Sequence, residues 1–266
     1  MSMTLETRYY QQFDADQRLE VPAEAYGGWK TAQVTIDPHH TALVVMHAWD
    51  PGSPETDPAW WRTVEYLPRA KRILEEVFPP LLQSVRSSPM KVFHVVGGDR
   101  DYYSHLPGYK KHPAGSPVPR IDYHSPAYQQ LKEWRNKEVF VGAHNIGEVT
   151  ASLARLDFAP QARPVGDEGI AADGDQLLAH CREHHIDHLI YIGFAINWCL
   201  LMSPGGMIDM SRRGLLCSTI AEAVTAVENK ETAAHELEKQ QALWRVSLEF
   251  GLVFSSSQTM RIQGNR

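Results

Sequence analysis

The stretch Leu189–Leu201, LIYIGFAINWCLL, decides the fold class. Its apolar start predicts a buried strand that runs into Gly193, and the turn FAIN then leads to Cys199, where the next helix is expected to begin. A thiol at a helix N-terminus meets unpaired backbone N–H groups, which favour the thiolate and can also hold an oxyanion. The stretch therefore predicts a strand-to-helix connection of an α/β protein, with Cys199 as a candidate nucleophile.

A second apolar run, TALVVMH (41–47), predicts another buried strand, and it ends at His47. Ligands of open parallel sheets bind beyond the carboxyl ends of the strands, so we expect His47 and Cys199 to lie at the same edge. An imidazole, with an ordinary pKa of about 6.5, suits a general base for a thiol at neutral pH. The alternative is that His47 is a hydrogen-bonded residue at a strand end in a site that has lost its chemistry.

Strands and helices alternate through most of the remaining chain. MKVFHVVGG (90–98) reads as a strand, QLLAHCREHHI (176–186) as a helix, and LLCSTIAE (215–222) as a further strand. This alternation predicts an α/β fold, a three-layer α/β/α sandwich with a mostly parallel central sheet.

Two segments fall outside this alternation. Residues 1–40 are predicted to form a largely irregular N-terminal extension with a possible short strand at AQVTI (32–36), and 41–266 to form one domain. Residues 99–137 form a long polar excursion rich in Pro and Gly, of a kind that is commonly functional or mobile.

Composition excludes several classes of partner. The 266-residue chain is 43% hydrophobic and carries a net charge of −6, which argues against nucleic acid and against an anionic membrane. No apolar run approaches the roughly 18 residues that span a bilayer, and the N-terminus does not resemble a secretory signal. The three cysteines favour reduced thiols in a cytoplasmic protein, with Cys181 and Cys217 as small buried apolar side chains.

The chain has a TALVV strand and, later, a strand that runs into the motif Gly193-x-x-x-Asn197-x-Cys199-Leu. This pattern resembles the isochorismatase-like cysteine hydrolases. These include nicotinamidases and carbamoylsarcosine amidohydrolases, and the resemblance runs from about 41 to 254. It implies hydrolysis of a C–N bond in a small amide-type metabolite through a Cys199 thioester, and it implies a homo-oligomer. It also implies a non-proline cis peptide between Phe194 and Ala195, with the N–H groups of Ala195 and Cys199 forming an oxyanion hole.

The chain departs from the family's Cys-Asp-Lys triad at two of three positions. His47 stands where the family has the aspartate, and the region that would supply the lysine, PVGDEGIAADGDQLL (164–178), contains none. We therefore expect a degenerate triad in which His47 activates Cys199. The alternative is a catalytically inactive protein of this kind that binds a metabolite or a protein partner.

A metal site and a substrate pocket are weaker expectations. Nicotinamidases place metal ligands after the second strand, and this chain has GGDRDYYSH there, with Asp99, Asp101 and His105 as candidates. A solvated acidic loop is the commoner explanation, so we expect no cofactor, with a divalent metal as the alternative.

Four residues beside the two strand ends are candidates for the pocket of a small-molecule substrate: Trp49, Asp50, Phe194 and Trp198. Packing in the core or at an interface explains the aromatic ones equally well. Asp50 has two candidate roles, since it can orient His47 or cap the segment that follows.

Overall fold

The apolar run at 41–46 forms a fully buried strand inside an eight-stranded sheet. The structure, a computed structural model, describes residues 2–97, 100–109 and 121–256. The strands are β1 (Met3–Gln11), β2 (Gly28–Ile36), β3 (Thr41–Met46), β4 (Lys91–Val95), β5 (Gly169–Ala171), β6 (His188–Phe194), β7 (Leu216–Thr225) and β8 (Val253–Phe254). Their order is β2-β1-β8-β7-β6-β3-β4-β5. Neighbours from β8 to β5 are parallel, whereas β1 is antiparallel to both β8 and β2.

Helices cover both faces of this sheet. They are α1 (Pro58–Thr63), α2 (Leu67–Glu76), α3 (Phe78–Arg86), α4 (Pro126–Glu138), α5 (Ile146–Leu153), α6 (Gly174–Glu183), α7 (Cys199–Met202), α8 (Met207–Arg212) and α9 (Leu237–Glu249). Side chains alternate along a strand, so Val44 packs in the core under α6 to α9, while Val45 packs in the core under α2 and α3. The predicted three-layer sandwich with a mostly parallel sheet is confirmed.

The first 40 residues are not the irregular extension that the sequence predicts. β1 and β2 pair along nine residues each, and β1 also pairs with β8, so both strands belong to the central sheet. The short strand expected at 32–36 is the second half of β2. The sequence misleads here because Arg8, Tyr9 and Tyr10 interrupt the apolar pattern, while their backbone is satisfied by strand pairing.

The long excursion also contains regular structure. It holds a 3-10 helix at Arg100–His105 and the 13-residue helix α4. Every residue of α4 is exposed, and its apolar side chains therefore cover no core. In the ranges the structure describes, no helix is long and apolar enough to cross a membrane.

Candidate active site

The adjacent strands β3 and β6 bring the two predicted reactive residues to one edge of the sheet. Met46, the last residue of β3, pairs with Gly193 of β6. Gly193 has a φ of 124°, and a Cβ atom there would lie 1.9 Å from the carbonyl oxygen of Met46. Only glycine fits so close an approach of two backbones. His47 and Cys199 follow these strand ends at the carboxyl edge, where open parallel sheets bind ligands.

The turn between β6 and Cys199 is anchored by one side chain. The peptide bond between Phe194 and Ala195 is cis, as the resemblance implies. Asn197 donates from Nδ2 to the carbonyl oxygen of Val227 at 2.8 Å, and its Oδ1 accepts from the N–H of Val227 at 2.9 Å. This pair of bonds ties the turn to the segment that follows β7. Sequence reasoning quoted Asn197 within the motif but assigned it no role.

Cys199 is the first residue of α7, and its side chain is partly buried. The N–H of Leu200 donates back to the carbonyl oxygen of Ala195 at 3.1 Å, which closes the first turn. Among the described residues, the N–H groups of Ala195 and Cys199 donate no hydrogen bond. The turn that carries the thiol thus has two unpaired backbone donors, which can bind negative charge on an oxygen atom.

The other two thiols have a different environment. Cys181 and Cys217 are fully buried, and burial raises the pKa of each to about 12. Both are small apolar residues of the core beneath α6 to α9, as predicted. Of the three cysteines, Cys199 alone is accessible to a reagent.

His47 has a backbone conformation that is rare outside glycine. Its φ is +50°, in the left-handed region, and its N–H donates to the carbonyl oxygen of Val95 at 3.1 Å. Its ring stacks on Trp49 with centroids 5.6 Å apart. A Cβ atom at Gly97 would lie 3.4 Å from Nε2. The imidazole therefore leans toward the end of β4, which flanks β3 on the side away from β6.

The protonation of His47 follows from its burial. Burial lowers its pKa to about 4, because the charged form loses solvation, so the ring is neutral at pH 7. A neutral ring retains one nitrogen lone pair that can accept a proton. Within the described part of the chain, no hydrogen bond joins His47 to Cys199. The two residues share an edge of the sheet without a direct bond between them.

A cluster of aromatic rings lies next to His47. Trp49 contacts the rings of Tyr103 and Phe158, with centroid distances of 6.2 and 5.9 Å, and these two rings also contact each other at 5.6 Å. Asp50 is exposed, and its Oδ1 accepts from the N–H of Gly52 at 3.0 Å. Asp50 therefore caps the following turn, which is the second of its two predicted roles.

The two pocket candidates near Cys199 differ in exposure. Phe194 is buried and stacks on Phe78 at 6.0 Å, so its ring packs in the core under the site. Trp198 is 43% exposed, and its ring meets the edge of Phe140 at 5.8 Å. Trp198 thus stands at the surface beside the thiol.

Tyr66, which sequence reasoning did not single out, lies in the same region. It directly precedes α2, and its ring lies 6.4 Å from that of Phe194. A helix that returns from a parallel strand begins near the carboxyl edge, so its first residues face the ligand side of the sheet. This topological rule is the signal that could have found Tyr66.

The predicted metal ligands are only partly described. Asp99 and the side chain of Asp101 lie outside the described residues. His105 is exposed and meets the edge of the Tyr102 ring at 6.0 Å. In the described ranges, no three His, Cys, Asp or Glu side chains cluster as a metal site requires.

A separate ionic cluster lies at the opposite, amino edge of the sheet. Glu168 accepts from Nε2 of His94 at 2.8 Å and from Nε of Arg86 at 2.6 Å. Burial by itself raises the pKa of Glu168, but these hydrogen bonds outweigh it and hold the pKa at about 2. A cavity of about 300 Å³ is lined there by Arg86, Lys91 and Glu168, among others. It lies at the start of β4 and is distinct from the edge that carries Cys199.

Comparison with solved structures identifies the architecture. A cysteine hydrolase from Pseudomonas syringae superimposes with a TM-score of 0.53 and 16% identity, over 85% of this chain and 93% of that one. The chain has the fold of this cysteine hydrolase. An isochorismatase family protein from Burkholderia thailandensis gives a TM-score of 0.46 and 14% identity over 86% of this chain and 98% of that one. An isochorismatase-like hydrolase from Alkaliphilus metalliredigens gives a TM-score of 0.46 and 15% identity, over 83% of this chain and 97% of that one.

This likeness confirms the α/β sandwich that the sequence predicts. No protein-family model matches the sequence, and no curated protein matches it. At 16% identity this likeness establishes the fold alone.

Proposed function

We propose that the protein is a cysteine hydrolase that cleaves the C–N bond of a small amide through a thioester on Cys199. The observation that carries the proposal is the position of Cys199. It is the partly buried first residue of α7, at the carboxyl edge of the sheet, in a turn whose Ala195 and Cys199 N–H groups have no partner among the described residues. Cys181 and Cys217 have neither the exposure nor the position for this role.

The reaction proceeds in two halves. The Cys199 thiol gives its proton to neutral His47, and the sulfur attacks the carbonyl carbon of the amide. The C–N bond then breaks, the proton passes from His47 to the leaving nitrogen, and a thioester remains. In the second half, water gives a proton to His47 as its oxygen attacks the carbonyl carbon of the thioester. The C–S bond then breaks, His47 returns the proton to the sulfur, and the products are a carboxylic acid and the free thiol. No cofactor takes part.

Charge in this reaction develops on the carbonyl oxygen. The N–H groups of Ala195 and Cys199 are the proposed donors to it, because neither has a partner among the described residues. His47 is the proposed base because it is neutral at pH 7 and follows the neighbouring strand. Binding of substrate between β3 and β6 has to bring base and nucleophile within reach, and catalytic hydrogen bonds commonly tighten only in such a complex.

The proposal is tested by trapping the acyl enzyme. The protein is incubated with p-nitrophenyl acetate and with a panel of small amides, quenched in acid, and analysed by intact-protein and peptide mass spectrometry. We expect an acyl adduct on Cys199 that is absent from Cys199→Ala and retained in the matched variant Cys181→Ala. An adduct elsewhere, or none with any compound, contradicts the proposal.

His47 is tested by comparing leaving groups. A nitrophenolate leaves without a proton, whereas an amine has to be protonated as it leaves. His47→Ala is therefore expected to lower the rate with an amide by at least about 100-fold and to affect the activated ester much less. Equal losses with both compounds would assign His47 a role other than proton transfer.

A second candidate function is a non-catalytic binding protein. It is favoured by the absence of a hydrogen bond between His47 and Cys199 among the described residues, and by the absence of a lysine from 164–178. A binding protein would show raised thermal stability with a compound of the same panel and no mass shift on Cys199.

A further inference from the structure

The helix α4 (Pro126–Glu138) covers no part of the protein's own core, since each of its 13 residues is exposed. Its start is nevertheless well defined. Ser125 Oγ accepts from the N–H of Tyr128 at 3.2 Å, and a proline occupies the first helical position. A helix of this length is marginal in water unless an apolar face packs on something. The packing that α4 needs is therefore absent from the described part of its own chain.

The surface of α4 and its two flanks is rich in apolar side chains. Six large ones are between 43% and 77% exposed: Ile121, Tyr123, Tyr128, Leu131, Trp134 and Val139. At about 150 to 250 Å² for a large side chain, they leave roughly 600 to 900 Å² in contact with water. Each partner contributes about 800 Å² to an interface of standard size, whereas the largest apolar patch of a typical monomer is about 300 to 600 Å². The segment therefore has the area of one half of a stable interface.

One face of α4 is complementary to itself. Residues three or four positions apart share a helix face, which places Ala127, Leu131, Trp134 and Glu138 in one stripe. The stripe is symmetrical about its middle, between residues 132 and 133. When two copies lie antiparallel, Leu131 faces Trp134 of the partner subunit, and the small Ala127 faces the long Glu138 of the partner subunit. A two-fold interface requires this property, because both subunits present the same surface.

The charged residues beside the stripe are compatible with this pairing. Arg135 makes no ion pair among the described residues, and it lies on the same flank of the stripe as Tyr128. In the antiparallel arrangement the Arg135 guanidinium comes near Tyr128 of the partner subunit, where a cation–π contact can form. No two like charges face each other across the stripe.

The end of α4 lies close to the candidate active site. Phe140, two residues beyond the helix, meets the ring of Trp198 at 5.8 Å, and Trp198 directly precedes Cys199. Pairing of α4 therefore takes place beside the exposed rim that carries Trp198.

We propose that α4 is a dimerisation helix, which packs antiparallel against α4 of a second copy of this chain about a two-fold axis at its middle. The occupant is a second copy because the stripe matches itself position by position, and because two such surfaces together have the area of a stable dimer interface. The proposal goes beyond the hydrolase function and does not depend on it.

The first test measures the mass of the protein by sedimentation velocity from about 1 to about 100 µM, the weak end of the affinity range of such interfaces. We expect the parent to be a dimer. Leu131→Glu and Trp134→Glu each place a carboxylate in the apolar stripe, so each should raise the dissociation constant at least about 100-fold. Because α4 covers no core of its own chain, both variants should still fold, which near-UV circular dichroism checks.

The matched control is Leu248→Glu. Leu248 is also an exposed leucine on a helix, but it lies on α9. This variant receives the same change of charge and size outside the stripe and should dimerise as the parent does.

A second test exchanges the two facing side chains. Leu131→Trp sets two large rings against each other, and Trp134→Leu leaves a gap, so each single variant should weaken the dimer by about tenfold. The double variant Leu131→Trp/Trp134→Leu restores every leucine–tryptophan pair and should return the dissociation constant to within about threefold of the parent. Recovery of this kind is expected only when α4 packs on α4.

Three results overturn the proposal. A parent that is monomeric at 100 µM leaves the surface of α4 to a different partner. A dimer that persists in Leu131→Glu and Trp134→Glu has to use another surface, such as the edge strand β2. A double variant that is as weak as the single ones shows that α4 packs on some other part of the second copy.

Discussion

The Cα atom of Gly193 lies so close to the carbonyl oxygen of Met46 that no side chain can be added between them. A Cβ atom would come within 1.9 Å of that oxygen, and the φ of 124° is unfavourable for any other residue. We expect Gly193→Ala to lower the free energy of unfolding by about 3 kcal/mol or more, since β3 and β6 have to separate. Urea unfolding followed by circular dichroism measures the loss.

A second glycine separates the steric effect from the conformational one. Gly214 has a φ of 91°, but a Cβ atom there would meet nothing within 4 Å. Gly214→Ala should therefore cost only about 1 to 2 kcal/mol, the penalty of the backbone conformation itself. Similar losses in the two variants would mean that the close approach of Met46 is relieved by a small movement.

Asn197 is expected to hold the Cys199 turn in place. Asn197→Ala removes both hydrogen bonds to Val227 and should lower the free energy of unfolding by about 1 to 3 kcal/mol. It should also slow acylation of Cys199, because the turn is no longer tied to the segment after β7. Asn229→Ala, which removes hydrogen bonds from an exposed turn, is the matched control for acylation and should leave it unchanged. An Asn197→Ala protein that acylates like the parent argues against a positioning role.

The decrease of activity at low pH should reflect protonation of His47. A general base has to be unprotonated, and the pKa of His47 lies at about 4, so activity should persist well below the ordinary histidine pKa and fall as the pH drops through about 4. Initial rates of hydrolysis of an amide, the substrate whose cleavage depends on His47, measure kcat/KM after a rapid pH change and before acid unfolding. If activity instead falls near pH 6.5, and this decrease is absent from His47→Ala, the His47 ring is better solvated than its burial indicates.

The stability of the protein should fall in mild acid because of His188. Burial lowers the pKa of His188 to about 4, and its Nε2 shares a hydrogen bond with Ser218 Oγ at 2.8 Å. Between pH 6.5 and 4 the unfolded chain binds the proton and the folded chain does not, so stability decreases as the pH falls through this window. His188 alone should contribute a loss of about 2 kcal/mol between pH 7 and pH 5.

The variant His188→Gln tests this assignment, because it keeps a polar group near Ser218 but cannot titrate. Urea unfolding at pH 7 and at pH 5 should show a smaller difference in this variant than in the parent. His235→Gln, at an exposed position, serves as the control and should retain the full acid loss. An unchanged difference in His188→Gln would assign the acid sensitivity to other groups, of which buried His94 is the first candidate.

The features that could be predicted from the sequence are those written in consecutive residues. The apolar runs of β3 and β6 and the start of α7 at Cys199 are of this kind, and they suffice for the layer architecture. The start of α2 indicates that Tyr66 lies near the carboxyl edge, but its approach to Phe194 could not be predicted, because that approach depends on how α2 packs on the sheet. The strand β1 was missed for a similar reason, since its polar residues are held by pairing with β2 rather than by an apolar pattern. The cysteine–histidine pair was predicted from strand ends alone, and strand ends do not determine which way the His47 ring leans.

The pairing of β1 with β8 has a consequence for how the chain reaches its final form. The hydroxyl of Thr7 donates to the carbonyl oxygen of Val253, across 246 residues of sequence. A contact of this separation forms late, because a long loop has to close before the contact can stabilise it. During synthesis the hairpin of β1 and β2 therefore cannot pair with β8 until Val253 and Phe254 have left the ribosome. Truncation a few residues before Val253 should remove the pairing of β1 with β8 and leave the hairpin attached through α9 alone, where Ser247 Oγ accepts from the N–H of Tyr10 at 2.8 Å, so the hairpin should become more sensitive to protease.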